Sequence, residues 1–213
     1  MKLGSLQKLG GFSLILGSTL LTVYAIAFPV FLPDIKMVQG DFTVIVLNPN
    51  WQWIALVAFF GVILTMAGYA AVYSRLYSKS GLVGLLGFLF LEIAYLLQAC
   101  KVTWEAFLYP VIASNAGAAT LLRDQLLKHS QPVLVFRSVA SGCILVGIVL
   151  FCFTLIRARE FPKIAGALIF LGALTYAVGP AVSLLVAIAG IFTVSIGSLI
   201  LGASLIRNQN GLS

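Results

Sequence analysis

The chain has 213 residues, 61% of them hydrophobic and 9% charged, with a mean hydropathy of +1.10 and a formal net charge of +7. Soluble domains carry about 25% charged and about 45–50% apolar residues, so a water-solvated globule is excluded and one bundle embedded in a lipid bilayer is expected. The 13 Lys and Arg residues are scattered at the ends of apolar runs. They form no basic patch, which argues against nucleic acid as a partner and for a topological role.

The first predicted helix covers 9–31. Lys2 and Lys8 ahead of an apolar run that reaches Ala25-Ile26-Ala27 imitate a cleavable signal. The run outlasts the ~7–15 residues of a signal core, so a retained helix is favoured. A loop from Pro33 to Asn50 holds Asp34, Lys36 and Asp41, and its apolar stretch Phe42 to Leu47 is expected to rest on the membrane surface. The second helix covers 51–74, with Trp51 and Trp53 as interfacial belt residues. A basic turn, Arg75 to Ser80, leads into a third helix over 82–112.

Beyond it, Asn115 to Gln131 forms a second loop. Leu121, Leu122, Leu126 and Leu127 alternate there with Arg123, Asp124, Gln125 and Lys128, the pattern of a helix lying in the interface. The fourth helix covers 132–156 and the fifth 164–179, with the basic turn Arg157 to Lys163 between them. Gly179-Pro180 reads as a tight turn or kink before a sixth helix over 181–206. The fold class is therefore all-α, with six transmembrane helices.

Placing the N-terminus in the cytoplasm puts Lys2, Lys8, Arg75, Lys79, Arg157, Arg159, Lys163 and Arg207 inside and only Lys36, Arg123 and Lys128 outside. Positive charge collects on the cytoplasmic side, so both termini are expected there. An internal repeat supports three tandem helical hairpins. Lys8-Leu-Gly-Gly11 precedes Leu16-Gly17, and Lys163-Ile-Ala-Gly166 precedes Leu171-Gly172 at the same spacing; Lys79-Ser-Gly81 before Leu86-Gly87 is a looser copy. Gly147 and Gly197 likewise precede Arg157 and Arg207 at equal distance. Ser138 and Gly142, Cys143 and Gly147, and Ser198 and Gly202 have the small-xxx-small spacing of close helix packing, here expected within one bundle.

The third helix carries most of the candidate chemistry. Glu92 lies ~15 Å along it from Leu82, near the middle of a ~30 Å hydrocarbon core. A charged group facing lipid at that depth costs about 2.5–3.5 kcal/mol. Glu92 is therefore expected to turn inward onto a hydroxyl at similar depth: Thr19, Thr22, Thr65, Ser141, Thr175 or Thr193. Two roles stay open for it, a structural hydrogen bond and a proton site.

Gln98, Lys101, Glu105 and Tyr109 share a second helix face. Arg137, on the antiparallel fourth helix, falls at the depth of Glu105, and the two are expected to pair with Lys101 close by. Pro110 removes a backbone bond and is expected to kink the helix, opening a cavity lined by Trp104, Phe107, Tyr109 and Trp53. An aromatic belt with a snorkelling lysine is the plainer alternative.

No metal, cofactor or enzyme pattern emerges. His129 is the single histidine, and Cys100, Cys143 and Cys152 sit in apolar segments as small buried hydrophobes. Glycine-rich phosphate loops and paired carboxylates are absent.

Glu105-Ala-Phe-Leu-Tyr-Pro110, with the basic-Gly-Leu-Gly helix starts, resembles small six-helix bacterial integral membrane proteins of uncharacterised function. The resemblance implies a multi-pass protein of the bacterial plasma membrane and supplies no activity. The expected role is non-catalytic: an accessory subunit, or a protein binding or sensing a small amphiphile or a partner membrane protein through a polar pocket. The alternative is a small secondary transporter or proton-coupled carrier using Glu92.

Overall fold

The computed structural model describes residues 3–34, 38 and 40–207; Lys2 and Lys36, used in the charge count above, lie outside them. The described residues are helical or irregular, with no strand among them. Four helices are long and apolar enough to cross a membrane: Ser5–Phe31, Trp51–Ser114, Gln131–Ala158 and Leu184–Arg207. Lys163–Gly179 is a shorter apolar helix.

In chain order the elements are α1 (Leu3–Phe31), α2 (Phe42–Val46), α3 (Trp51–Thr103), a π-helical turn (Trp104–Leu108), α4 (Tyr109–Ser114), α5 (Thr120–Arg123), α6 (Leu126–His129), α7 (Gln131–Ala158), α8 (Lys163–Val182) and α9 (Leu184–Arg207).

α3 is not one straight rod. Gly81 has φ 56° and ψ −163°, a conformation open essentially to glycine alone, and there the chain reverses. Tyr73 and Phe88 stack with centroids 4.3 Å apart, and Tyr69 and Tyr95 with centroids 5.7 Å apart. A continuous helix would separate the two pairs by roughly 22 and 39 Å. The arms 51–80 and 82–103 therefore lie side by side, and the expected break falls at Gly81 itself, helix running through the basic stretch before it. The second break is displaced further. α8 continues through Gly179-Pro180 and ends at Ser183, whose extended backbone (φ −166°, ψ 158°) separates it from α9. The Ser183 amide donates to the Gly179 carbonyl at 2.8 Å, and its hydroxyl accepts from the Val186 amide at 3.3 Å, closing one helix and starting the next.

Small residues set the helix contacts. A Cβ on Gly17 would lie 2.5 Å from the Thr65 nitrogen, one on Gly147 2.6 Å from the Leu91 nitrogen, and one on Gly172 2.6 Å from the Val194 nitrogen. Only backbone-to-backbone approach explains such distances. Gly147 and Gly202 thus pack as expected, the latter 2.8 Å from the Gly11 carbonyl when given a Cβ, but Gly142 does not: nothing lies within 4 Å of a Cβ there. Between α1 and α9, Thr22 Oγ1 donates to Ser195 Oγ at 2.8 Å, and Ser195 Oγ donates to the Ser18 carbonyl at 3.2 Å.

The result is a bundle with two unlike ends. Toward the end that holds Leu3, Gly81, Arg159 and Arg207, the long segments meet in one cluster around Leu14, Tyr69, Leu91, Phe151, Ile169 and Leu201. Tyr69 and Ser198 share a hydrogen bond of 3.0 Å there. Basic side chains edge this end, and Glu160, in the loop between α7 and α8, joins Arg75 (3.5 Å) and Lys79 of α3. Toward the opposite end α7 has no buried residue before Gly147 and short helices pack over the bundle, while α8 and α9 stay in backbone contact, a Cβ on Gly179 lying 2.4 Å from Ala187 Cα.

Candidate functional site

The site begins with a missing hydrogen bond. Past Thr103 the helix widens into the π-register, the Tyr109 amide donating five residues back to the Trp104 carbonyl. The next bond in that register would run from residue 110 to the Glu105 carbonyl, but Pro110 has no N–H. The freed Glu105 carbonyl instead accepts from Trp51 Nε1 at 2.8 Å. Trp51 is consequently buried, at 4% exposure, and is not the interfacial belt residue expected. The expected kink at Pro110 takes the form of this π-turn.

The Glu105 side chain meets Lys101, Nζ to Oε1 at 3.2 Å, and both line a pocket of about 730 Å³. Trp104, Tyr109 and Arg137 line it as well, so most of the expected cluster is brought together. Gln98, Phe107 and Trp53 are not on its wall. Trp53 instead donates to Asn50 Oδ1 at 3.0 Å and packs edge-on to Phe31.

The Arg137–Glu105 pair is not formed. Lys101, one turn away on the same helix, takes the carboxylate, and among the described residues no acidic oxygen lies within 4.0 Å of the Arg137 guanidinium. Two tyrosines that sequence reasoning missed, Tyr24 on α1 and Tyr176 on α8, stand in electrostatic range of Lys101. No periodicity on the third helix could reveal them, since they come from other helices.

Two loops close over this end. In α2, Asp41 caps the first turn by accepting from the Thr43 amide at 2.9 Å, and Ile45 and Val46 are buried. The segment thus packs Ile45 and Val46 on protein and leaves Val44 and Leu47 exposed, so one side of it remains apolar and uncovered. The second loop forms no continuous interfacial helix either, because Gln125 adopts a left-handed conformation (φ 53°) and splits it into α5 and α6. That turn sends the Gln125 amide across to the Gly40 carbonyl at 3.1 Å, while Arg123 reaches Asp41 at 3.6 Å. Leu122 joins Ile45 and Trp51 in the apolar cluster beneath.

Glu92 stands apart from this pocket. Its Oε1 is buried and has no hydrogen-bond partner among the described residues, so the expected hydroxyl contact is not made. Four of the hydroxyls expected for it are engaged elsewhere: Thr19, Thr175 and Thr193 bond their own helix carbonyls, and Thr22 bonds Ser195. Thr65 faces Gly17. The cysteines also divide, Cys152 being buried and Cys100 exposed.

No family model, curated protein or solved structure matches this chain.

Proposed function

We propose that this is a non-catalytic, multi-pass membrane protein that binds a small amphiphile in the pocket around Lys101, Glu105 and Arg137. The observation that carries this reading is the wall itself. Apolar side chains such as Phe28, Val133, Phe136 and Leu184 surround an ion pair and a guanidinium that has no carboxylate partner among the described residues. Its volume falls within the ~300–1,000 Å³ of small-molecule sites, which combine apolar walls with a few placed polar groups.

The finer architecture belongs to the same proposal: six spans in three tandem hairpins, with the basic end and both termini in the cytoplasm of a bacterium. The reversal at Gly81 and the break at Ser183 support six segments, and the basic side chains at one end support the orientation. The repeat draws support from Gly17, Gly87 and Gly172, each of which abuts the next long segment of the chain.

Trp104 provides the test. Titration of the protein with a brominated single-chain amphiphile should quench the Trp104 share of the fluorescence saturably, that share being defined by a W104F control. A V133W variant, which fills the pocket, should abolish saturation. Quenching that rises linearly and ignores V133W would overturn the reading.

A second reading, a proton-coupled carrier, is favoured by one observation, the buried Glu92 oxygen without a partner. It requires the infrared carboxyl band of Glu92 to change on substrate addition; a band insensitive to substrate and pH would remove it.

A further inference from the structure

The pocket is better closed toward water than toward lipid. Over its mouth the two loops are tied by Arg123–Asp41 and Gln125–Gly40, and Leu122 and Ile45 fill the space beneath. Its side is different. Every fully buried residue of α7 lies at Gly147 or beyond it, and the stretch 131–146 contributes none. α7 approaches α8 where Gly166 meets Leu155 and Ile156, far from the pocket. At the pocket end α7 keeps its contact with Trp104 through Phe136, centroids 4.9 Å apart, and Tyr176 to Val178 of α8 are exposed. Val133, Phe136 and Arg137 thus face Val182 to Leu184 across the pocket, with bilayer beyond.

Resting on the amphiphile reading above, we infer that the occupant is an anionic phospholipid of the adjoining leaflet, which slides in sideways between α7 and α8 and sets its phosphate on Arg137. Charge selects it. The charged wall residues are Asp34, Lys101, Glu105, Lys128 and Arg137, one more positive than negative. Glu105 is matched by Lys101 and Asp34 is the wall's other carboxylate, so the preference rests on the wall's one net positive charge. Arg137 lies ~9 Å along α7 from its start, shallow enough for a guanidinium to reach the phosphate layer while the acyl chain stays beside Phe136 and Val133. A guanidinium fork also matches phosphate oxygens in a way an ammonium does not.

The test places the full-length protein in phosphatidylcholine vesicles that carry, at equal mole fraction, brominated phosphatidylglycerol or brominated phosphatidylcholine. The readout is the Trp104-dependent quenching, again against W104F. Half-maximal quenching is expected at about tenfold lower mole fraction for the anionic lipid, the scale of one charge-assisted contact. R137Q should erase that preference and R137K should keep part of it. If R137Q does not fold, the wild-type ratio between the two lipids decides alone.

Equal quenching by both lipids overturns the inference, as does a preference that R137Q leaves intact. Should lipid preference be absent while the soluble single-chain amphiphile still saturates, lateral lipid binding fails and the pocket reading stands. If neither probe saturates, both fall.

Discussion

The two ends of the bundle are built on opposite principles. At the basic end, small residues let backbones touch, so Tyr69, Phe151 and Leu201 are almost wholly covered and the buried hydroxyl pair Tyr69–Ser198 is satisfied. At the pocket end the same helices carry Trp104, Glu105, Lys101 and Arg137, which are too bulky and too polar for backbone contact. There α7 draws away and short loop helices take up the slack, while α8 and α9 stay in backbone contact, a Cβ on Gly179 falling 2.4 Å from Ala187 Cα. Close packing fixes the scaffold, and the binding groups sit where packing is loosest. Sites that must admit a ligand are drawn from the less stable parts of a fold.

Substitutions along one helix offer the strongest way to break this contrast. Gly147 and Gly142 are both on α7, one at each side of the divide. Gly147→Leu drives a side chain into the Leu91 backbone, which has no rotamer to change, and should cost several kcal/mol or prevent folding. Gly142→Leu meets open space and gains helix propensity worth up to about 1 kcal/mol. Thermal unfolding in detergent or nanodiscs should therefore show a collapse for the first and no loss for the second. Equal losses would mean that α7 is buried along its whole length.

The ion pair comes next in size. Glu105 is 16% exposed and Lys101 39%, so the pair is only half-buried. Glu105→Gln should cost about 1–3 kcal/mol by leaving an ammonium inside the bundle, and the double change with Lys101→Gln should recover part of it. Arg137→Gln should change stability by less than about 0.5 kcal/mol, as for a side chain without a structural partner. If R137Q proved as costly as E105Q, Arg137 would belong to the scaffold and not to the site.

Smaller still is the buried hydroxyl pair. Tyr69→Phe keeps the ring against Phe151 and removes one hydrogen bond, at about 1 kcal/mol, since Ser198 can turn to its own helix carbonyl.

These comparisons also show what could be read from the chain. Depth along a helix is a linear quantity, and 1.5 Å per residue was enough to bring Lys101, Glu105, Tyr109 and Arg137 to one pocket. Azimuth between helices is not linear. Arg137 and Glu105 share a depth, yet Lys101 holds the carboxylate, because a neighbour one turn away needs no helix–helix alignment to reach it. Gln98 failed for the same reason, lying on the expected stripe but off the wall. In the apolar loops composition could not say which residues protein would bury: Ile45 and Leu122 are covered, whereas Val44, Leu47, Leu121 and Leu126 stay exposed. Breaks were hardest to place where two signals competed. Gly179-Pro180 looks like a stop, but the turn needed a residue able to cap the following helix, and Ser183 supplies it.

The smallest effect lies wholly at the basic end and is a matter of pH. The Glu160 carboxyl is held below the usual carboxylate range, first by the hydrogen bond from Lys79, which outweighs the opposing effect of burial, and further by the charges of Lys79 and Arg75. A carboxyl with a lowered folded-state pKa stabilises the fold above its unfolded-state value and loses that contribution as pH falls through the folded-state value. The difference in melting temperature between wild type and Glu160→Gln should therefore be constant near neutrality and shrink below about pH 4. It should also shrink with added salt, because these groups are solvent-screened. The pocket end, where Lys101–Glu105 is shielded within the bundle, should respond far less to salt. An equal salt response from E160Q and E105Q would place both ion pairs in water and remove the distinction between the two ends.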